Sequence, residues 1–175
     1  TFEEILDSLK DKTILVLDKC WDCWDKVYAL LKEKDMVDQT IFKFYLKDEE
    51  PMVWAKAHKD CIFIPMCGDP EMFPKLLELR EHAGLPAVEI LPHAEDEPIF
   101  SDETFRWLEE HHIKVWCNSL SLARRLVYGA GYDDLKSLRY GGDKGWGVLI
   151  DKGVQILQTD WPHEVACYLK EKKMR

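Results

Sequence analysis

The residues best able to do chemistry stand at the ends of apolar runs. In "TILVLDKCWDCWDK" (13–26) an apolar strand runs into Asp18, and a C-x-x-C formed by Cys20 and Cys23 follows at the start of a helical pattern. That placement admits a dithiol redox centre, half of a zinc site, or plain packing at the rim of a barrel. Zinc requires a full ligand set, and no second C-x-x-C or spaced histidine pair follows, since His111 and His112 are adjacent and His163 is isolated. A thioredoxin-like centre calls for a shorter chain that mixes in antiparallel strands. The reading favoured here is that Cys23 packs a helix and Cys20 marks a strand end.

Asp18 is different, because it closes a strand expected to be buried. An ionised carboxylate there is costly unless a cation or hydrogen bonds stabilise it, and at the C-terminal mouth of a barrel the placement reads as catalytic or metal-binding. Other strands carry similar residues. Lys43 and Tyr45 share a face in "IFKFY", Glu89 interrupts "AVEIL", Trp116 and Asn118 share a face in "KVWCN", and "ILQTD" pairs Gln158 with Asp160. Any one of these reads as a salt-bridged oddity of the core. Recurrence on several strands points instead to a shared polar mouth.

The elements that must position these residues follow one rhythm. Short apolar runs at 13–18, 40–45, 61–66, 87–91, 113–118 and 154–160 are nearly uninterrupted, as expected of parallel strands buried on both faces. Helical patterns fall between them. Thr1-Phe-Glu-Glu4 reads as a capping box, residues 21–34 place Trp24, Val27, Tyr28 and Leu31 on one stripe, and Asp69-Pro70-Glu71 reads as a helix start. Ser101-Asp102-Glu103 and Trp161-Pro162 open two more. The one long connection, 119–153, holds "GAGYDD" and "YGGDKGWG" and reads as a functional or mobile loop; no dinucleotide-binding G-x-G-x-x-G is present. Six βα units make either an open sheet or part of a (β/α)₈ barrel. The leading helix, 2–10, favours the barrel, as the helix of a preceding unit.

Composition narrows the function. The 175 residues suit a single domain, 1–175, with ordinary globular composition. A net charge of −9 disfavours nucleic acid as a partner, and an anionic ligand would need local positive charge or a metal ion. No apolar run is long enough for a membrane span, and "TFEEILDSLK" is not a signal peptide. The six cysteines do not space as a disulfide framework; Cys61 and Cys67, on one strand, would stand about 20 Å apart. Reduced thiols are expected, with the cytoplasm the favoured compartment.

The segment "GWGVLIDKGVQILQTDWPHEVACYLKEKK" resembles the C-terminal part of the glycerophosphodiester phosphodiesterase family, "HHIKVWCNSL" is similar to that family's preceding strand, and "TFEEILDSLKDKTILVLD" to its third strand. The likeness runs over nearly the whole chain and is most specific at W-x-N-S-L and Q-T-D-x-P; 47–100 is weakly diagnostic. It implies a parallel (β/α)₈ barrel of which strands three to eight are present. It also implies hydrolysis of a small-molecule phosphodiester such as glycerophosphocholine to glycerol phosphate and an alcohol, assisted by Mg²⁺ or Ca²⁺. Asp18 falls on the third-strand metal ligand, where Glu is commoner, and supplies the hard oxygen such ions prefer.

Three departures shape the expectation. The family's catalytic H-R-G and following Glu-x-Asp have no counterpart here, so the N-terminal part looks truncated, to be supplied by a longer chain or another copy, and no catalytic residue is assigned. Cys20 stands where the family often has Lys, and Lys43 is expected to take over the positive charge facing the phosphate. Trp161 stands where Arg is frequent. Lys43, Tyr45, Glu89, Trp116 and Asn118 are the expected substrate contacts, with Asp18 at the metal. The competing reading is a catalytically degenerate barrel that binds a phosphorylated ligand or scaffolds a partner.

Overall fold

Helix starts and stops follow the local chemistry that the sequence carries. The structure is a computed structural model that describes residues 1–122 and 126–173. Helix α1 (Phe2–Leu9) opens on the capping box, with the Thr1 hydroxyl accepting from the Glu4 N–H at 3.3 Å and donating to the Glu4 carboxylate at 2.9 Å. The Ser101 hydroxyl caps α5 (Asp102–Glu110) by accepting from the Thr104 N–H at 3.2 Å, and Pro162 opens α8 (Pro162–Glu171).

The chain is α/β and divides into two compact units, Thr1–Cys67 with Glu71–Ala87 and Gly68–Pro70 with Val88–Arg175. In the first unit, α1 leads to β1 (Leu15–Leu17), α2 (Trp24–Lys34), β2 (Thr40–Phe42), α3 (Glu49–Ala57), β3 (Ile62–Phe63), β4 (Met66–Cys67) and α4 (Pro74–Arg80). In the second, β5 (Ala87–Ile90, entered from the first unit at Ala87) is followed by α5 and β6 (Lys114–Asn118). Then come α6 (Asp134–Tyr140), α7 (Trp146–Lys152), β7 (Ile156–Gln158) and α8. In the first unit β1, β2 and β3 form a sheet in that order, β1 with β2 and β2 with β3 in parallel; in the second, β5, β6 and β7 are neighbours in that order, and β6 pairs with β7 in parallel.

The first unit is organised around Trp24. Its indole packs against Trp54 at 4.9 Å, Phe42 at 5.5 Å, Phe44 at 5.8 Å and Phe63 at 6.0 Å between ring centroids. Helix α2 therefore clamps the strands through one aromatic residue, with Leu31 buried two turns further along the same stripe. In the second unit Leu108 of α5, Val115 and Cys117 of β6 and Leu149 of α7 are buried apolar side chains.

Four expectations from the sequence are corrected. The run 61–66 is not one strand: Pro65 has no N–H, so β3 and β4 are separate segments. The chain nonetheless stays in register with its neighbour, through Ile64 N–H to Phe42 O at 3.0 Å and Met66 N–H to Phe44 O at 2.7 Å. Not every strand is buried on both faces. Ile14 and Val16 are 65% and 41% exposed, because β1 pairs with β2 alone among the described residues. The helix expected at Asp69-Pro70-Glu71 does open at Pro70, but as a single 3₁₀ turn (Pro70–Met72), and the α-helix itself begins only at Pro74.

Finally, 119–153 is not a plain loop. Asp133 accepts from the Lys136 N–H at 2.7 Å to cap α6, and Gly153, at φ +117°, stops α7 in the left-handed conformation. The glycines of "YGGDKGWG" make room for a ring: a Cβ on Gly142 would stand 2.4 Å from Tyr168 Cδ2, and one on Gly147 2.4 Å from the Tyr168 hydroxyl. That hydroxyl donates to Asp143 at 2.8 Å, which fixes the ring against the backbone.

Gly142→Ala is expected to cost about 1–3 kcal/mol of unfolding free energy, since the added methyl overpacks an aromatic ring held by its own hydrogen bond. Urea denaturation of the variant checks this, and a loss within error of zero would show that Tyr168 is free to move aside.

Candidate functional site

In the first unit the relevant side chains stand where β1 and β2 end. Leu17 lies opposite Phe42, and the Lys43 N–H donates to Leu17 O at 3.0 Å, so Asp18 and Lys43 leave adjacent parallel strands. Asp18 is exposed, which corrects the expectation of a buried carboxylate: the strand stops at Leu17 and the backbone turns at Lys19, φ +54°. Lys43 is 2% exposed, deep beyond the end of β2. Tyr45 is half-buried, with its ring edge-on to Trp21 at 5.8 Å and Lys47 Nζ 5.5 Å from its centroid. Lys43 and Tyr45 both follow the end of β2, and Tyr45 forms an isolated parallel bridge with Met66.

The C-x-x-C stands in the short helical turn that leads into α2. The Cys23 thiol donates to the Cys20 carbonyl at 3.2 Å, and all six cysteines are free thiols. A dithiol centre needs a thiol with a lowered pKa. Burial pushes that of Cys20 up instead; Cys23 and Asp18 beside it push the same way, against a weaker pull from the Trp24 side chain.

In the second unit three strand segments carry polar groups into a buried setting. Glu89, on the fully buried β5, is 2% exposed. Trp116 and Asn118 lie on one face of β6, opposite Ile156 and Gln158 of β7 in a parallel register. The Asn118 carboxamide oxygen accepts from the Leu120 N–H at 2.8 Å, which leaves its NH₂ end to donate. Its neighbour Gln158 holds a side-chain oxygen that is buried and has no hydrogen-bond partner. A donor and an unsatisfied acceptor thus stand side by side at the ends of two parallel strands. The Cys117 thiol, on the opposite face, is pushed up to about 12 by burial, to which the Glu89 carboxylate adds.

One residue of this region was invisible as a functional candidate. Asp134, in the "GAGYDD" stretch, is 1% exposed, and its carboxylate is bonded to residues that follow both Asn118 and Gln158. The sequence held a signal in Asp133-Asp134, a helix-cap doublet in which only the first residue is needed as a cap.

Among the described residues no three His, Cys, Asp or Glu side chains come close enough together to hold a metal ion. Asp18 is therefore not part of a group of three such side chains among the described residues.

The thiols give a direct check on this geometry. Burial pushes Cys61, like Cys117, up to about 12, whereas Cys23 and Cys167 are exposed. A thiol-specific reagent at pH 8 is expected to modify Cys23 and Cys167 fast, and Cys61 and Cys117 only on unfolding. Because the folded thiols ionise later than unfolded ones (about 8.5), their stabilising contribution is complete below that pH and is lost as pH rises towards 12. Fast labelling of Cys117 in the folded protein would contradict the buried face of β6.

A glycerophosphoryl diester phosphodiesterase from Parabacteroides distasonis, known from its crystal structure, is similar to this chain. The TM-score is 0.73 at 17% identity, covering 98% of this chain and 55% of that one. The likeness is one of fold, and the chain spans little more than half the length of that protein. Among curated proteins none matches. The sequence family DUF4996, described as a domain of unknown function, matches residues 64–169, the larger part of the chain. The chain belongs to that family.

Proposed function

We propose that this chain forms the ligand-binding wall of a glycerophosphodiester-type phosphodiesterase, built as strands three to eight of a parallel (β/α)₈ barrel. Support for the fold comes from the structural likeness to a phosphodiesterase over 98% of the chain, together with the motif resemblance at W-x-N-S-L and Q-T-D-x-P. The observation that carries the ligand reading is the pair Asn118 and Gln158, in register at the ends of β6 and β7, with the Gln158 oxygen buried and unbonded. A buried polar atom left unsatisfied is costly, and a ligand hydroxyl would satisfy it. A phosphate oxygen accepts from the Asn118 NH₂ group while a neighbouring glycerol hydroxyl donates to Gln158, so one glycerol phosphate moiety uses both amides.

The other residues divide by chemistry. Trp116 offers a flat apolar surface beside Asn118, and Glu89 an acceptor for a further hydroxyl. Lys43 carries positive charge and Tyr45 a hydroxyl at the end of β2, suited to an anionic ester. In this enzyme class a divalent ion, Mg²⁺ or Ca²⁺, stabilises the charge that develops on the phosphate. Asp18 is the group this chain would offer to such an ion, and no step is drawn through it.

Calorimetric titration with glycerol phosphate tests the binding reading. The chain is expected to bind it, and Gln158→Ala to weaken it about tenfold, the worth of one neutral hydrogen bond. No binding, or an unchanged affinity in the variant, would contradict the assignment.

In the first unit, Lys43→Met is expected to abolish binding of inorganic phosphate at the end of β2 while the variant stays folded by circular dichroism; unchanged phosphate binding would remove Lys43 from the expected contacts. Release of glycerol phosphate from glycerophosphocholine in Mg²⁺ or Ca²⁺, assayed on the longest expressible form, separates the enzyme from the degenerate binder. Binding without turnover assigns the second.

A further inference from the structure

The Asp134 carboxylate accepts four hydrogen bonds, and all four donors are uncharged. Oδ1 takes the Ser119 hydroxyl at 2.7 Å, the Trp146 indole N–H at 2.7 Å and the Thr159 hydroxyl at 2.8 Å, while Oδ2 takes the Asp160 N–H at 3.0 Å. Its own N–H donates to Ser119 O at 2.7 Å. Ser119 in turn holds Gln158 O through its N–H at 2.8 Å, while its hydroxyl, whose one proton goes to Asp134, lies 3.0 Å from the same carbonyl. Such a carboxylate is tolerated in a buried place only while its lone pairs are used, so the arrangement is specific to a group that accepts at both oxygens.

The addresses of these bonds are informative. Ser119 immediately follows Asn118, and Thr159 and Asp160 immediately follow Gln158. One side chain from the connection between β6 and β7 therefore ties down the backbone just beyond both ligand-facing amides. It also explains two motif residues, Ser119 and Thr159, whose hydroxyls are engaged with Asp134.

We propose that Asp134 is a positioning residue: through Ser119, Thr159 and Asp160 it holds the ends of β6 and β7 so that the Asn118 and Gln158 amides face a glycerol phosphate group as a fixed donor–acceptor pair. The inference rests on the reading of those two amides as ligand contacts. Asparagine cannot substitute for Asp134, since one of its two polar ends donates, and that end would oppose either the Asp160 N–H or the hydroxyl cluster.

The test uses nuclear magnetic resonance of the isotopically labelled chain, following the Asn118 and Gln158 side-chain amides with and without glycerol phosphate. Asp134→Asn and the milder, isosteric Thr159→Val are compared with Thr159→Ser, which keeps the hydroxyl, and with Ser137→Ala. Ser137 bonds the Trp146 N–H at 2.9 Å without touching either strand end, so its loss loosens the same connection by another route. Expected are displaced Asn118 and Gln158 amides and about tenfold weaker binding in Asp134→Asn and Thr159→Val. Thr159→Ser should restore both, and Ser137→Ala should leave both in place.

Unmoved amides in Thr159→Val, or equal movement in Ser137→Ala, would overturn the positioning role. If the amides move as expected but the unaltered chain does not bind glycerol phosphate, Asp134 keeps its role and the ligand reading fails instead.

Discussion

Strands that pair in parallel cannot be joined by a tight turn; the chain must return along the sheet, usually as a helix, before it pairs again. That constraint makes successive strand ends emerge on the same side of their sheet. In the first unit it brings Asp18 and Lys43 out from neighbouring ends, because Leu17 stands opposite Phe42. In the second it sets Asn118 beside Gln158. Nothing in the local sequence around either residue says that they are neighbours; the register does.

Parallel pairing alone leaves the last residues of a strand loosely held, since the ladder stops where the chain turns away. The second unit answers this with a buried carboxylate from the intervening connection. Asp134 exchanges hydration for bonds to two hydroxyls, an indole and a backbone N–H, and the strand ends are drawn together around it. The first unit relies on aromatic packing, with Trp24 of α2 set against Phe42, Phe44, Trp54 and Phe63.

Much of the fold was legible because it is encoded locally. The Thr1–Glu4 capping box, the Ser101 cap and Pro162 each fix a helix start through a neighbour or two, and each is where the sequence placed it. Strand positions were legible from apolar runs, although 61–66 read as one strand and is broken at Pro65, which has no N–H. What was not legible depends on distant partners. Asp18 looked buried because it follows an apolar run, but β1 has only one strand partner among the described residues and its end is open. The glycines of 119–153 suggested a loop, and the two short helices there are stabilised by an aspartate cap and a glycine stop.

The candidate site was half legible by the same logic. Alternation along β6 gave Trp116 and Asn118 on one face, and the structure bears out that geometry. Gln158 was visible as a polar strand end, but its unbonded buried oxygen was not, since that depends on what surrounds it. Asp134 carries no periodic signal. Its importance comes from four partners drawn from 119, 146, 159 and 160.

The most direct measurement is a crystal structure of the chain soaked with glycerol phosphate. Density for the ligand between the Asn118 and Gln158 amides, with a hydroxyl on Gln158 Oε1, is the expected result. A ligand bound at another surface, with Gln158 Oε1 still unpartnered, would contradict the central claim that these paired strand ends form the binding wall.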